Sequence, residues 1–148
     1  MDYLNFKLQG LDVDGSEKTF SLSDFKGKKI VLYFYPKDST PGCTREAVDF
    51  RDNMDKFSEK AVVIGVSPDN ISSHLKFRQN QKINFIMLSD PEHLLINAFE
   101  VWGEKSMYGR TYFGVIRSTF VLGENGFLLR RWRNVKVKGH VEEVLANL

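Results

Sequence analysis

The apolar positions along the first two thirds of the chain alternate between strand-like runs and helical spacing. Residues 29–35 form a short β-branched and aromatic run, typical of a strand buried on both faces. The apolar residues that follow it repeat every three or four positions, which predicts a helix over residues 41–58. The same two patterns then recur and predict strands at 61–66 and 86–88, with helices at 70–81 and 93–99.

The two ends of the chain carry hairpin signals. Near the N-terminus, Phe6 and Leu8 alternate with polar residues ahead of Asp14-Gly15, which predicts a short edge hairpin. In the last third, Asn125-Gly126 lies between apolar runs at 118–122 and 127–132, which predicts an antiparallel pair. Residues 139–148 end the chain with the spacing of an amphipathic helix, and residues 101–114 are expected to form a long loop.

This order of elements predicts the α/β class. Parallel β-α-β units followed by a hairpin and a terminal helix describe a central mixed β-sheet flanked by helices. We expect a thioredoxin-like fold with an N-terminal β-hairpin. A chain of 148 residues fits one domain, so residues 1–148 are expected to form a single unit.

Composition disfavours several partners. The net charge of +2 gives no reason to expect nucleic acid or an anionic membrane surface. The longest apolar run, residues 30–35, is far shorter than the ~20 residues that span a bilayer. The N-terminus lacks the pattern of a signal peptide, and one cysteine cannot form an intrachain disulfide, so we expect a cytoplasmic protein.

Cys43 is the only cysteine, and it follows the buried strand at the predicted start of a helix. Pro41 is well suited to the first helical position, and Gly42 lies between it and the cysteine. A thiol in the first turn faces the positive end of the helix dipole and unpaired backbone N–H groups, which favour the thiolate. The alternative is a small, inert, buried side chain, which predicts slow alkylation at neutral pH.

Three other side chains complete a candidate site. Thr40 lies three residues before Cys43, so its hydroxyl can face the sulfur or a bound oxygen; alternatively it only caps the helix. Arg117 opens an apolar strand, where an unpaired arginine would be costly, and is a better candidate cation than Arg45. Glu46 shares a helix face with Cys43 and can hold the Arg117 guanidinium.

The segment Pro36-x-x-x-Thr40-x-x-Cys43, followed by Glu46-Ala47, resembles the active-site segment of peroxiredoxins of the PrxQ or bacterioferritin-comigratory-protein group. Further similar segments occur in the family's order along essentially the whole chain: 20–27, 64–67, 89–91, 102–103, 108–109, 117–120 and 139–140.

The resemblance implies a thiol-dependent peroxidase that reduces hydrogen peroxide and organic hydroperoxides without a cofactor. It makes Cys43 the peroxidatic cysteine and Thr40 the residue that orients the peroxide. It makes Pro36 the shielding proline and Arg117 the activating cation. The family's glutamate role falls on Glu46, while Pro41 and Gly42 support the motif.

The chain departs from many members of this group at Val48, where they carry a resolving cysteine. The oxidised Cys43 must therefore react with an external thiol, in a one-cysteine mechanism. The resemblance implies thioredoxin, glutaredoxin or glutathione as the reductant. We expect a monomer, with a homodimer as the alternative.

The sequence leaves two other functional classes open. In the first, the chain is a redox sensor or binding protein whose oxidised Cys43 forms a mixed disulfide with a partner and turns over too slowly to matter. In the second, it is a Cys-His hydrolase, although its three histidines, His74, His93 and His140, are scattered along the chain. The same scatter argues against a metal site.

Two surface features have simple interpretations. The basic residues between Arg130 and Lys138 alternate with apolar ones, as in a solvated edge strand. The large side chains near residues 102–113 could line a pocket for an organic hydroperoxide, cover the core or form a dimer contact.

Overall fold

The computed structural model describes residues 2–148, which contain nine β-strands. The strands are β1 Leu8–Leu11, β2 Glu17–Phe20, β3 Ile30–Phe34, β4 Val62–Ser67, β5 Ile86–Ser89, β6 Trp102–Met107, β7 Arg110–Val115, β8 Ser118–Leu122 and β9 Leu128–Arg133. The helices among the described residues are α1 Pro41–Asp52, α2 Met54–Phe57, α3 Ile71–Gln81, α4 Leu94–Ala98 and α5 His140–Ala146, with 3₁₀ turns at Asp2–Asn5 and Leu22–Phe25.

Seven strands form one mixed sheet in the order β2-β1-β5-β4-β3-β8-β9. Strands β3, β4 and β5 are parallel, whereas β8 pairs antiparallel with β3 and β9 antiparallel with β8. Strands β1 and β2 form the predicted N-terminal hairpin at the opposite edge. The predicted α/β class, with a mixed sheet flanked by helices, is confirmed.

The side chains of β3 alternate between two apolar clusters, one on each face of the sheet. Ile30, Leu32 and Phe34 belong to the first cluster, and Val31 and Tyr33 to the second. All five are at most 2% exposed, which explains why this strand is a continuous apolar run. The second cluster lies beneath α1 and includes Cys43, so the candidate site is built against the centre of the sheet.

The expectation of a loop over residues 101–114 is wrong. Strands β6 and β7 form a separate two-stranded hairpin, whose turn residues Tyr108 and Gly109 both have positive φ, as a type I′ turn requires. Nearly every residue of this hairpin is partly or fully exposed. Because neither of its faces is buried, the sequence lacks the alternation that usually marks a strand.

The remaining predicted elements are present with shifted ends. The helix expected over 41–58 is interrupted at Asn53, whose side-chain amide donates to the Asp49 carbonyl and separates α1 from α2. The helix expected over 93–99 is α4, and the C-terminal helix is α5, which begins after Gly139. The second hairpin is confirmed, with β9 beginning at Leu128.

Candidate active site

Cys43 lies in the first turn of α1, directly beyond β3. Pro41 is the first residue of the helix, as predicted, because its missing N–H and fixed φ suit that position. The Cys43 side chain is only 1% exposed and packs within the apolar cluster of that sheet face. A bulky molecule therefore has no direct access to this sulfur.

Arg117 is the cation that reaches the sulfur. The antiparallel register pairs Ser118 with Phe34, which brings Arg117 to the end of β3 where the chain leaves the sheet toward α1. Its Nη2 donates to Cys43 Sγ at 3.3 Å, and its Nη1 donates to Glu46 Oε1 at 2.7 Å. Arg45 instead faces solvent 4.0 Å from Asp49, as its position on the helix indicated.

Burial and the neighbouring charges together set the pKa values of Glu46 and Arg117. The Glu46 carboxyl is fully buried, and this burial raises its pKa to about 7 despite the attraction of Arg117. Burial alone would lower the pKa of Arg117, but the charges of Glu46 and Cys43 outweigh it and raise that pKa. Among the described residues Glu46 Oε2 has no hydrogen-bond partner. The guanidinium thus lies between a buried thiol and a buried carboxyl.

Thr40 precedes α1, and its two oxygen atoms have separate roles. Its carbonyl accepts the first helical bond, from the Thr44 N–H at 2.8 Å. Its hydroxyl makes no capping bond and donates instead to the Lys37 carbonyl at 2.8 Å. The alternative in which the Thr40 hydroxyl only caps the helix is therefore wrong. With its hydrogen committed to Lys37, the hydroxyl retains lone pairs that can accept.

Pro36 and Gly42 shape the surroundings of this group. Pro36 is half-buried and lies in the loop between β3 and α1. A Cβ at Gly42 would lie 3.2 Å from Arg117 Nη2, so glycine leaves room for the guanidinium. Val48 is half-buried on the same helix.

Sequence reasoning missed a buried polar network beneath this loop. The Asp38 carboxylate accepts from Tyr35 Oη, Ser73 Oγ and His74 Nδ1 at 2.6–2.8 Å. His74 Nε2 donates to the Leu88 carbonyl at 2.9 Å. The one available signal was the helical spacing of His74 and Phe77, which placed a histidine on the buried face of α3.

The histidines make contacts away from the sulfur. His140 Nε2 pairs with Thr119 Oγ1 at 2.8 Å, and the His93 ring packs 4.4 Å from that of Trp102. His74 is bound to Asp38, so each of the three histidine rings contacts a residue other than Cys43. Within residues 2–148 no group of three or more His, Cys, Asp or Glu side chains is arranged to hold a metal ion.

The basic stretch and the large side chains of residues 102–113 both lie on the surface of the structure. Arg130, Arg131 and Arg133 lie on β9, a strand at the edge of the sheet, which agrees with the edge-strand interpretation, whereas Lys136 and Lys138 follow the strand. The large side chains of the β6–β7 hairpin range from 39% exposed at Trp102 to 98% exposed at Tyr108, so they do not cover the core. No helix in the part of the chain described here is long and apolar enough to cross a membrane.

A buried thiol in the first turn of a helix, contacted by an arginine from a neighbouring strand, agrees with what the sequence comparisons show. The AhpC/TSA family model matches residues 2–131, and the chain belongs to this family. It is 51% identical over 144 residues to peroxiredoxin Bcp of Bacillus subtilis, covering 96% of this chain and 92% of that protein. A putative peroxiredoxin of Mycobacterium tuberculosis is 45% identical over 138 residues, covering 93% of this chain and 87% of the relative.

Solved structures agree with the sequence relatives. A mutant of Xanthomonas campestris peroxiredoxin Q superposes with a TM-score of 0.89 at 40% identity, covering 99% of this chain and 91% of that one. The bacterioferritin comigratory protein of the same organism gives a TM-score of 0.88 at 39% identity and the same coverage of both chains. The thioredoxin-like peroxiredoxin fold predicted from the sequence is confirmed.

These similarities make the chain a thiol-dependent peroxidase of the Bcp/PrxQ group. Its substrates are peroxides and its reductant is a thiol. Two of the X. campestris structures each carry serine in place of a different cysteine, so that relative has at least two cysteines. This chain has only Cys43, which is consistent with a one-cysteine peroxidase.

Proposed function

We propose that the chain reduces peroxides by a one-cysteine mechanism at Cys43. The thiolate sulfur attacks the distal peroxide oxygen, the O–O bond breaks, and the remaining alkoxide or hydroxide leaves as alcohol or water after taking a proton. The sulfur is oxidised to a sulfenic acid while the peroxide is reduced. The 3.3 Å hydrogen bond from Arg117 to Cys43 Sγ carries this proposal, because it holds a positive charge beside the nucleophile.

The neighbouring residues have distinct roles in this proposal. Arg117 stabilises the thiolate and the charge that develops on the departing oxygen. Glu46 holds the guanidinium in place through Nη1. Thr40 accepts a hydrogen bond from the bound peroxide through the lone pairs of its hydroxyl, and Pro36 shields the sulfur from water.

An external thiol completes the cycle. The first thiol condenses with the sulfenic acid to give a mixed disulfide and water, and a second thiol reduces that disulfide and releases Cys43. Since Cys43 is 1% exposed, a thiol cannot reach its sulfur while the first turn of α1 is intact. Resolution therefore requires this turn to open, whereas a small peroxide reacts with the folded site.

The proposal extends to substrates and partners. Hydrogen peroxide and alkyl hydroperoxides are the proposed substrates, and the X. campestris relative is described as having alkyl peroxide reduction activity. Thioredoxin, glutaredoxin or glutathione is the proposed reductant. A cytoplasmic location follows from the need for a reducing thiol pool, and we propose that the chain works as a monomer.

Peroxide consumption tests this proposal directly. The reduced protein and Cys43→Ser are compared with dithiothreitol, with glutathione plus glutaredoxin, and with thioredoxin plus its reductase. The state of Cys43 is followed by intact mass. Repeated turnover that disappears in Cys43→Ser is the expected result, and the donor that sustains it identifies the reductant.

Other results would contradict the proposal. Rapid oxidation of Cys43 that stops near one equivalent with every donor would favour a redox sensor. Oxidation no faster than that of a free thiol would show that the site does not activate Cys43.

A further inference from the structure

The loop between β3 and α1 is held in a conformation that its own sequence does not favour. Ser39 has a φ of +65°, in the left-handed region, where a residue with a side chain costs roughly 1–2 kcal/mol. Thr40 follows at once and leads into Cys43. Contacts from outside the loop must therefore maintain the position of the Thr40 hydroxyl.

The peptide between Lys37 and Asp38 is fixed at both of its polar ends. Its carbonyl accepts from the Thr40 hydroxyl at 2.8 Å, and its N–H donates to Asp69 Oδ2 at 2.8 Å. A trans peptide is planar with these two groups on opposite sides, so the orientation of the N–H sets that of the carbonyl. Asp69 itself is held by Ser67 Oγ at 2.8 Å.

Asp38 is held through its side chain as well as through its backbone N–H. Its carboxylate is 1% exposed and accepts from Tyr35, Ser73 and His74. The His74 Nε2 faces a backbone carbonyl, which accepts only, so that nitrogen carries a hydrogen.

The other ring nitrogen of His74, Nδ1, faces an acceptor as well. The His74 Nδ1 lies 2.6 Å from Asp38 Oδ2, which agrees with a doubly protonated ring. Burial works to lower the pKa of His74, but the hydrogen bond and charge of Asp38 outweigh it and raise that pKa. The short contact and the raised pKa of His74 both favour a charged pair between these two buried side chains.

We propose that the Asp38 carboxylate, paired with His74, is a positioning group for peroxide reduction that acts through the Lys37–Asp38 peptide on the Thr40 hydroxyl. This inference rests on the proposed role of Thr40 in binding the peroxide. The Asp38 carboxylate is hydrogen-bonded to Tyr35, Ser73 and His74, whereas Arg117 is hydrogen-bonded to Cys43 and Glu46. Loss of its carboxylate should therefore disturb peroxide alignment and leave the nucleophile intact.

The test compares two reactions of the same sulfur in the full chain. Oxidation by hydrogen peroxide takes place in the folded site and requires Thr40, whereas alkylation by iodoacetamide takes place once the first turn of α1 opens and does not require Thr40. In Asp38→Ala the second-order rate constant for oxidation should fall about 100-fold, as a 1 Å misplacement of a reacting group can cause. The alkylation rate should stay within threefold of wild type.

A conservative variant provides the matched control. In Asp38→Asn the amide oxygen can still accept from Tyr35 Oη, and the amide nitrogen can donate to Ser73 Oγ and to Nδ1 of a neutral His74. Both rate constants should remain close to those of wild type. An oxidation defect as large as that of Asp38→Ala would overturn the positioning role.

A double-mutant cycle tests whether Asp38 acts through Thr40. If it does, Asp38→Ala combined with Thr40→Val should oxidise no more slowly than Thr40→Val alone. Multiplying defects, or an equal fall in oxidation and alkylation, would overturn the inference. If Asp38→Ala fails to fold, Ser73→Ala removes one bond to the same carboxylate and should slow oxidation selectively by about threefold; no selective effect there would also overturn it.

Failure of the proposed function and failure of the positioning role give different results. A wild-type protein whose Cys43 reacts with peroxide no faster than a free thiol would contradict the peroxidase mechanism itself. A fast wild type with an unaffected Asp38→Ala would contradict only the positioning role.

Discussion

Gly42 and Arg117 are in such close contact that no β-carbon fits between them without movement. The position that a Cβ would occupy at Gly42 lies 3.2 Å from Arg117 Nη2, the nitrogen that donates to Cys43. The smallest side chain would therefore move the guanidinium by a few tenths of an ångström. Gly42 lies within α1 without a positive φ, so alanine suits its backbone.

Gly42→Ala should slow the oxidation of Cys43 without lowering the stability of the protein. Alanine in a helix is favoured over glycine by roughly 0.5–1 kcal/mol, so the free energy of unfolding should be unchanged or higher. The displaced Arg117 should slow oxidation of Cys43 by about tenfold, because reactivity depends steeply on placement. Urea denaturation and stopped-flow oxidation measure the two effects. A variant that is both less stable and slower would mean that the helix, and not the guanidinium, is perturbed.

Arg117→Lys should lose most of the activity although it keeps the charge. The guanidinium uses separate nitrogens for Cys43 and Glu46, and one ammonium cannot reproduce this fork. We expect the rate constant for oxidation to fall about 10²–10³-fold, as on loss of a donor that stabilises developing charge.

The matched control for this variant is Arg45→Lys, since Arg45 is 64% exposed on the same helix as the cysteine. Its oxidation rate should equal that of wild type. A fast Arg117→Lys variant would show that positive charge suffices and that the two-nitrogen geometry does not matter.

Glu46→Gln should change how stability depends on pH. The pKa of Glu46 rises from 4.5 to about 7 on folding because the carboxyl is buried. A raised folded-state pKa favours folding below pH 4.5, and this contribution is lost as the pH rises through about 7. With about 1.4 kcal/mol per pKa unit, the unfolding free energy of wild type relative to the variant should fall by about 3 kcal/mol over that range.

Chemical denaturation of both proteins between pH 4.5 and pH 8 provides the measurement. Glutamine cannot ionise but keeps an oxygen that can accept from Arg117 Nη1. Stability curves that run parallel across this range would show that Glu46 does not titrate there.

Much of the fold could be predicted because its central strands are buried on both faces. Strand β3 contributes alternate residues to two apolar clusters, so its sequence is a continuous apolar run. The hairpin at Asn125-Gly126 was equally clear, because that dipeptide favours its turn. The β6–β7 hairpin was missed since its faces are exposed and its turn, Tyr108-Gly109, is not among the dipeptides with the strongest signal.

The candidate site also contains residues that the sequence predicts and residues that it does not. Glu46 was found from its spacing to Cys43 on one helix, and Arg117 from the cost of an unpaired arginine beside an apolar strand. The pairing of Asp38 with His74 joins residues 36 positions apart on different elements. No local pattern specifies that contact, which depends on how α3 packs against the sheet.

Val48→Cys should allow Cys43 to be resolved within the chain, but only when α1 unwinds. Five helical residues rise about 7.5 Å along the axis, beyond the Cα separations of about 4.4–6.8 Å that disulfides usually span. After one equivalent of peroxide, the introduced thiol should condense with the Cys43 sulfenic acid and release water. Intact mass should then show the loss of two hydrogens, accompanied by a loss of helical circular dichroism. Val48→Ser is the matched control, since it adds a polar side chain without a thiol. If Val48→Cys and Val48→Ser accumulate Cys43 sulfinic acid at the same rate under excess peroxide, then α1 does not open fast enough for intrachain resolution.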